Sequence, residues 1–387
     1  METAVATKSS RSETDDASQT HAVSRSLVTL GAFGRHIEQV PDSILLEVFQ
    51  HLKFRDLCIA GSVCRRWYRV SRDQSLRRVV DLTSVPFTVS QAWSLIRHQL
   101  NSHVLELRVR GSVQFFHTDH SRWRTRSFTS KSLAYLVERC PSLQVLHLRD
   151  TFIANNTVST KVTVAELPPS LTHLVLRGSF LHPSEFFRPD PAKALRRLAF
   201  LDVSYCTLVT SGELGRFANW TSLRALGLEG CHRVNDGGMT NIEPILRFLQ
   251  AIDLEGTDVG DKGVELILTR GPGLRFLFLG HTGFTGIAFV KLAAERKLRG
   301  HRFELTRVCL RRTTVNEAAV FALLQLAPRL TWFVGSGPHL CAETTTRVKE
   351  RLPSCRFVKF APFELEQDRC CRHFTKDVVR TMKFEGS

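Results

Sequence analysis

The chain has 387 residues, 43% of them hydrophobic and 23% charged, with a formal net charge of +16. That length and apolar content exclude a chain disordered throughout and allow a large core. No apolar run approaches the roughly 20 residues a membrane-spanning helix requires. The opening METAVATKSSRSETDD has no signal-peptide apolar region, so the expected location is the cytosol, the nucleus or both. In such a reducing compartment the ten cysteines are expected as free thiols. The basic balance favours acidic partners. Because the arginines are scattered rather than gathered on one element beside stacking aromatics, an acidic protein ranks ahead of nucleic acid.

Residues 1–34, rich in Ser, Thr and Ala, read as a disordered tail. From 35 to 78 the pattern is that of a small helical module. Pro41 suits the first position of a helix and Asp42 its first turn. Ile44, Leu45, Val48, Phe49 and Leu52 then fall on one helical stripe. A second apolar set, Leu57, Ile59, Val63 and Cys64, leads to Trp67 and Tyr68, with Arg65, Arg66, Arg69 and Arg72 interleaved. These short helices carry more apolar side chains than so small a unit can cover. The surplus meets either a partner or this chain's own later segments, and spacing leaves both readings open.

Val40-Pro41-Asp42, Leu45-Leu46, Val48-Phe49, Leu52, Asp56-Leu57, Ser62 to Trp67 and Asp73 to Leu76 together resemble the F-box. The resemblance implies docking on the adaptor Skp1, and through it on the cullin and RING subunits of an SCF ubiquitin ligase. Carried over by position, the adaptor-facing residues are Pro41, Leu45, Leu46, Phe49, Leu57, Val63, Cys64 and Trp67. Val40 replaces the family's usual leucine, and Arg77 stands where the family often has tryptophan.

From 79 to 362 an L-x-x-L-x-L core repeats. Its members are Val104-Leu107-Val109, Leu143-Leu146-Leu148, Leu171-Leu174-Leu176, Leu198-Leu201-Val203, Leu223-Leu226-Leu228, Leu249-Ile252-Leu254, Leu274-Leu277-Leu279 and Leu305-Val308-Leu310. Most of the steps fall in the range of about 20 to 29 residues of a leucine-rich repeat. Val79 to Leu82 supplies a first strand, Leu330 to Phe333 a late one, and Arg356 to Phe360 a closing one. Lys131–Arg139, Met239–Leu249, Gly263–Arg270, Ile287–Arg296 and Asn316–Leu326 have helical spacing and predict an outer layer.

Three residues after each core stands Thr151, Ser179, Cys206, Cys231, Thr257, Thr282 or Thr313, each with a hydroxyl or thiol able to pair with backbone at the turn. This resembles the cysteine-containing repeat class of the F-box/LRR family, a likeness clear from about Val40 to Gly111 and patchy beyond. An insertion after Val109 that contains Trp123 reads as a loop, and residues 363–387 as a charged extension. The expected fold is therefore α/β: a small all-α F-box module followed by a right-handed leucine-rich-repeat solenoid, with its parallel β-sheet inside and its helices outside.

No catalytic set is found, and Cys370, Cys371 and His373 match no common zinc spacing, so neither metal nor cofactor is expected. A solenoid's concave face is a binding surface, built from the non-core strand positions. Those expected to meet a substrate are Arg108, Arg110, Arg149 and Arg177, then Asp202, Glu229, Asp253 and Glu255, then Phe276, Phe278 and Arg311. Acidic substrate residues would meet the arginines, basic ones the carboxylates, and an apolar anchor the phenylalanines. The reading is a non-catalytic substrate-recognition subunit of an SCF ligase, with Skp1 on the F-box and the protein to be ubiquitinated on the concave face. Its alternative is a leucine-rich-repeat interaction scaffold outside any ligase, RNA-binding ones included.

Overall fold

The structure, a computed structural model, describes residues 37–84, 89–111, 130–153, 162–188, 190–299, 303–335, 342–359 and 378. The predicted tail, Trp123 and the Cys370, Cys371 and His373 group lie outside these residues. The chain divides into two compact units between Leu76 and Arg77.

The first unit packs three helices, α1 (Asp42–Gln50), α2 (Phe54–Ala60) and α3 (Arg65–Ser71). Pro41 stands at the N-cap, one residue before its expected place, and Asp42 opens α1. Leu45, Phe49, Leu57, Ala60 and Val70 close a core of their own, ringed by Val40, Leu46, Leu52, Trp67 and Leu76. Phe49 and Trp67 meet edge to face, with ring centroids 5.3 Å apart.

The second unit is one parallel sheet with helices and turns between its strands. Its strands are β1 (Val79–Leu82), β2 (Glu106–Arg110), β3 (Val145–Arg149), β5 (His173–Val175), β7 (Phe200–Asp202), β8 (Ala225–Gly227), β9 (Ala251–Asp253), β10 (Phe276–Phe278), β11 (Arg307–Leu310), β12 (Trp332–Gly335) and β13 (Arg356–Lys359). They pair in chain order, so each strand is bonded only to the rungs before and after it. Two short strands, β4 (Phe152–Ile153) and β6 (Phe180–Leu181), form a second parallel pair. The middle core residues Leu107, Leu146, Leu174, Leu201, Leu226, Ile252, Leu277 and Val308 are all buried and stand in register across the sheet. Helical connectors appear where the spacing predicts them, as Ser130–Arg139, Asp261–Arg270, Ile287–Arg299 and Glu317–Leu326. Met239–Leu249 differs. Pro244 lacks the N–H that would continue a helix, and two short helices, Asp236–Asn241 and Glu243–Leu246, meet at Ile242.

The hydroxyl and thiol ladder does what its chemistry allows. Thr257, Thr282 and Thr313 donate to the carbonyl three residues earlier, at 2.6, 2.6 and 2.8 Å. Ser179, Cys206 and Cys231 instead donate to the last core carbonyl of the preceding repeat, at 2.6, 3.2 and 3.4 Å. Burial pushes the Cys231 thiol up to about 12, which keeps it a protonated donor at neutral pH.

One feature of the turns is absent from the sequence pattern. The residue before each ladder position has positive φ, and at 150, 178, 205, 230, 256 and 281 its N–H donates to the next repeat. It is glycine at 178, 230 and 256, but Asp150, Tyr205, His281 and Arg312 elsewhere. A Cβ on Gly256 would meet only ordinary contacts, whereas on Gly230 it would fall 2.7 Å from the Tyr205 ring. Gly256→Ala is therefore expected to cost about 1 kcal/mol of stability, the left-handed penalty alone. Gly230→Ala is expected to cost about 2–3 kcal/mol, because the ring must also move. Urea unfolding midpoints of the two variants give the comparison.

Candidate protein-binding surfaces

In the helical unit, α1 and α3 are held together by charge. Asp42 accepts from Arg66 Nε at 2.7 Å and from an Arg69 terminal nitrogen at 2.7 Å, and Arg66 also reaches the carbonyls of Glu38 and Val40. Hydrogen bonds from Arg66 and Arg69 hold the Asp42 carboxyl below the usual carboxylate range. Cys64 caps α3, its sulfur accepting from the Trp67 N–H at 3.4 Å.

With this frame closed, the apolar stripe divides into two sets. Leu45, Phe49 and Leu57 point into the unit's own core and are 2% exposed. That corrects their placement on an adaptor-facing surface, because a side chain used to close the core offers no area to a partner. Pro41, Val63 and Cys64 are exposed, and Leu46 and Trp67 are half-buried at the edge of the core. Sequence reasoning missed the other exposed residues, Ile44, Val48, Ile59 and Tyr68, with Ile59 at 57% and Val63 at 63%. The surplus of apolar positions in so short a unit was the signal for them.

In the solenoid, strand alternation puts the proposed substrate residues on the face opposite the leucine core. They are not one open surface. Arg110 and Arg149 reach solvent and Arg108 and Arg177 are partly covered, whereas Asp202, Glu229, Asp253, Glu255, Phe276, Phe278 and Arg311 are buried. Much of the charge is also already paired. Arg108 meets Glu106 at 2.5 Å and Asp81 at 3.4 Å, Arg110 meets Asp150 at 3.0 Å, Arg177 meets Glu229 at 2.5 Å, and Arg311 meets Glu255. The charges expected to meet a substrate thus pair in large part with one another: within a strand, between neighbouring rungs and, for Arg177 with Glu229 and Arg311 with Glu255, across an intervening rung.

Tyr205, at a positive-φ position, completes the central group. Its hydroxyl donates to Glu229 Oε1 at 2.6 Å and its ring lies 4.7 Å from the Arg177 guanidinium carbon. Burial opposes the Arg177 charge, but Asp202 and Glu229 outweigh it and hold its pKa above the ordinary arginine value. Asp253, fully buried, has its carboxyl pushed well above the usual range by that burial and then by Glu229 and Glu255.

His147 on β3 titrates in the opposite sense. Burial first, then Arg108, Arg149 and His173, lower its pKa to about 3 against the opposing pull of Asp81. Between pH 6.5 and 3 the unfolded chain therefore binds a proton that the folded chain refuses. Stability falls as pH drops below 6.5, by up to about 1.4 kcal/mol per pH unit. His147→Asn is expected to remove this component, so that the wild-type and variant stabilities converge between pH 7.5 and 5.5 by about 1 kcal/mol in urea titrations.

Among the described residues no group of His, Cys, Asp and Glu is arranged to hold a metal ion, and no helix is long and apolar enough to cross a membrane.

The F-box-like family matches residues 37–83. F-box/LRR-repeat protein 12 of Homo sapiens is 26% identical over 234 residues, 60% of this chain and 68% of its own length. F-box protein SKIP1 of Arabidopsis thaliana is 25% identical over 257 residues, 61% of this chain and 75% of its own. Among solved structures, an internalin (InlF) of Listeria monocytogenes aligns with a TM-score of 0.42 at 14% identity, over 72% of this chain and 79% of that one. The chain thus carries an F-box-like domain at its N-terminal end, continues into a leucine-rich-repeat solenoid, and is homologous to F-box/LRR-repeat protein 12.

Proposed function

We propose that the chain is the substrate-recognition subunit of an SCF ubiquitin ligase, holding a Skp1-type adaptor on its F-box and a target protein on its repeats. One observation carries the reading: the helical unit closes its own core and still exposes Ile44, Val48, Ile59, Val63 and Tyr68. A soluble module that small keeps such an apolar set exposed at a cost, which a partner's apolar surface offsets. The F-box-like match and the F-box/LRR relatives support the same assignment. On this reading the protein breaks no bond itself. It raises the effective concentration of a target's lysines beside a charged E2, in the cytosol or nucleus. Arg110 and Arg149, which reach solvent at the ends of β2 and β3, suit an acidic stretch of that target.

The test is co-purification of the full chain with Skp1, followed by recovery of the cullin and RING subunits in the same complex. Salt-dependent RNA binding with no adaptor bound would favour the scaffold alternative.

A further inference from the structure

The concave face carries an apolar strip that an open sheet would leave in water. Val175, Phe200, Ala225, Ala251, Phe276, Phe278, Cys309 and Val334 form one buried cluster from β5 to β12, with Trp332 packed against it. Phe200, Ala225, Ala251, Cys309 and Val334 are 0% exposed. One further member belongs to no strand: Val378, also 0% exposed.

We propose that the chain's own C-terminal segment around Val378 is the resident occupant of this face, an apolar-anchored basic stretch held in cis that any protein binding there must displace. Length permits it. Nineteen positions separate Lys359, the end of β13, from Val378, an extended reach of about 60 Å. The path back from β13 to β7 crosses six strand spacings, about 29 Å. Charge also matches. Arg372, Lys376, Arg380 and Lys383 surround Val378 in sequence with Asp377 as the one acid among them. The strip is bordered by Asp202, Glu229, Asp253 and Glu255 against Arg177 and Arg311. Asp253 Oδ2 and Glu255 Oε2 are buried with no hydrogen-bond partner among the described residues, which a cationic side chain would supply. The face thereby selects a class of ligand: a basic segment with an aliphatic anchor for Phe276, Phe278 and Trp332.

Cys309 lies in the strip and reports its cover, whereas Cys206 and Cys231 lie in the turn ladder and report the repeats. In the full-length Val378→Asp chain, iodoacetamide is expected to alkylate Cys309 at least about tenfold faster than in the wild type, with Cys206 and Cys231 still protected, a difference of about 1.4 kcal/mol in opening. A synthetic peptide of residues 366–387 added to that variant restores protection, and the same peptide carrying Val378→Asp does not. An unchanged Cys309 rate in a variant whose Cys206 and Cys231 remain protected overturns the proposal. Where the substitution opens all three thiols, a chain with a photoreactive diazirine analogue of valine at 378 decides. Cross-links into the β9 to β12 peptides uphold the placement, and cross-links only elsewhere reject it. Neither readout involves the adaptor, so failure here leaves the ligase reading standing, and failure to bind Skp1 leaves this one.

Discussion

A chain carrying Ile59→Asp and Val63→Asp is expected to fold normally and to lose about 100-fold in affinity for Skp1, near 2.7 kcal/mol. Both side chains are more than half exposed at the end of α2 and in the turn that follows, so neither charge enters the core. Each would instead have to be desolvated against a partner's apolar surface, and that penalty is paid only in the complex. Titration calorimetry with purified Skp1 measures the loss, and an unchanged far-ultraviolet circular dichroism spectrum separates it from unfolding. Unaltered affinity would remove the exposed set as the docking surface. Leu45→Asp makes the contrasting case. It puts a carboxylate into the core formed with Phe49, Leu57 and Val70, and loses the adaptor because the module no longer folds.

The largest effect on the solenoid is expected at Arg177. Arg177→Met should destabilise the repeats by about 3 kcal/mol at neutral pH, because among the described residues it leaves buried, charged Glu229 with the Tyr205 hydroxyl alone for a side-chain partner. Adding Glu229→Gln removes the orphaned charge and should restore about half of the loss. The deficit of the single variant should also shrink as pH falls, since an unpaired Glu229 escapes its penalty by taking a proton. Urea denaturation of the single and double variants at pH 7.5 and 5.5 supplies the comparison. A double variant no more stable than Arg177→Met would mean that the pair does not account for the loss.

The repeat could be read from sequence because both of its determinants are local. Apolar alternation fixes which side of a strand is inside, and a small hydroxyl or thiol three residues later marks the turn; Val203 with Cys206 and Leu254 with Thr257 stand where that grammar puts them. The positive-φ position escaped notice because glycine fills it at 178, 230 and 256 but Asp150, Tyr205, His281 and Arg312 do so elsewhere. On the F-box unit the helical stripe told apolar from polar but not inward from outward, and Leu45 and Ile44 are adjacent in it. The burial of the face opposite the leucine core was hidden from the sequence for a different reason. Phe278 is at its predicted strand position, but the buried cluster it joins draws on neighbours far along the chain, Val378 among them, which no local pattern announces.

Because every rung is bonded only to the one before and the one after, injury to this sheet should be graded by address more than by depth. A lesion in β12 or β13 frays an end. One in β8 cuts the stack in two, stranding each half with a raw hydrogen-bonding edge, so inherited or engineered changes near Leu226 should be far less forgiving than equally buried ones near Phe333.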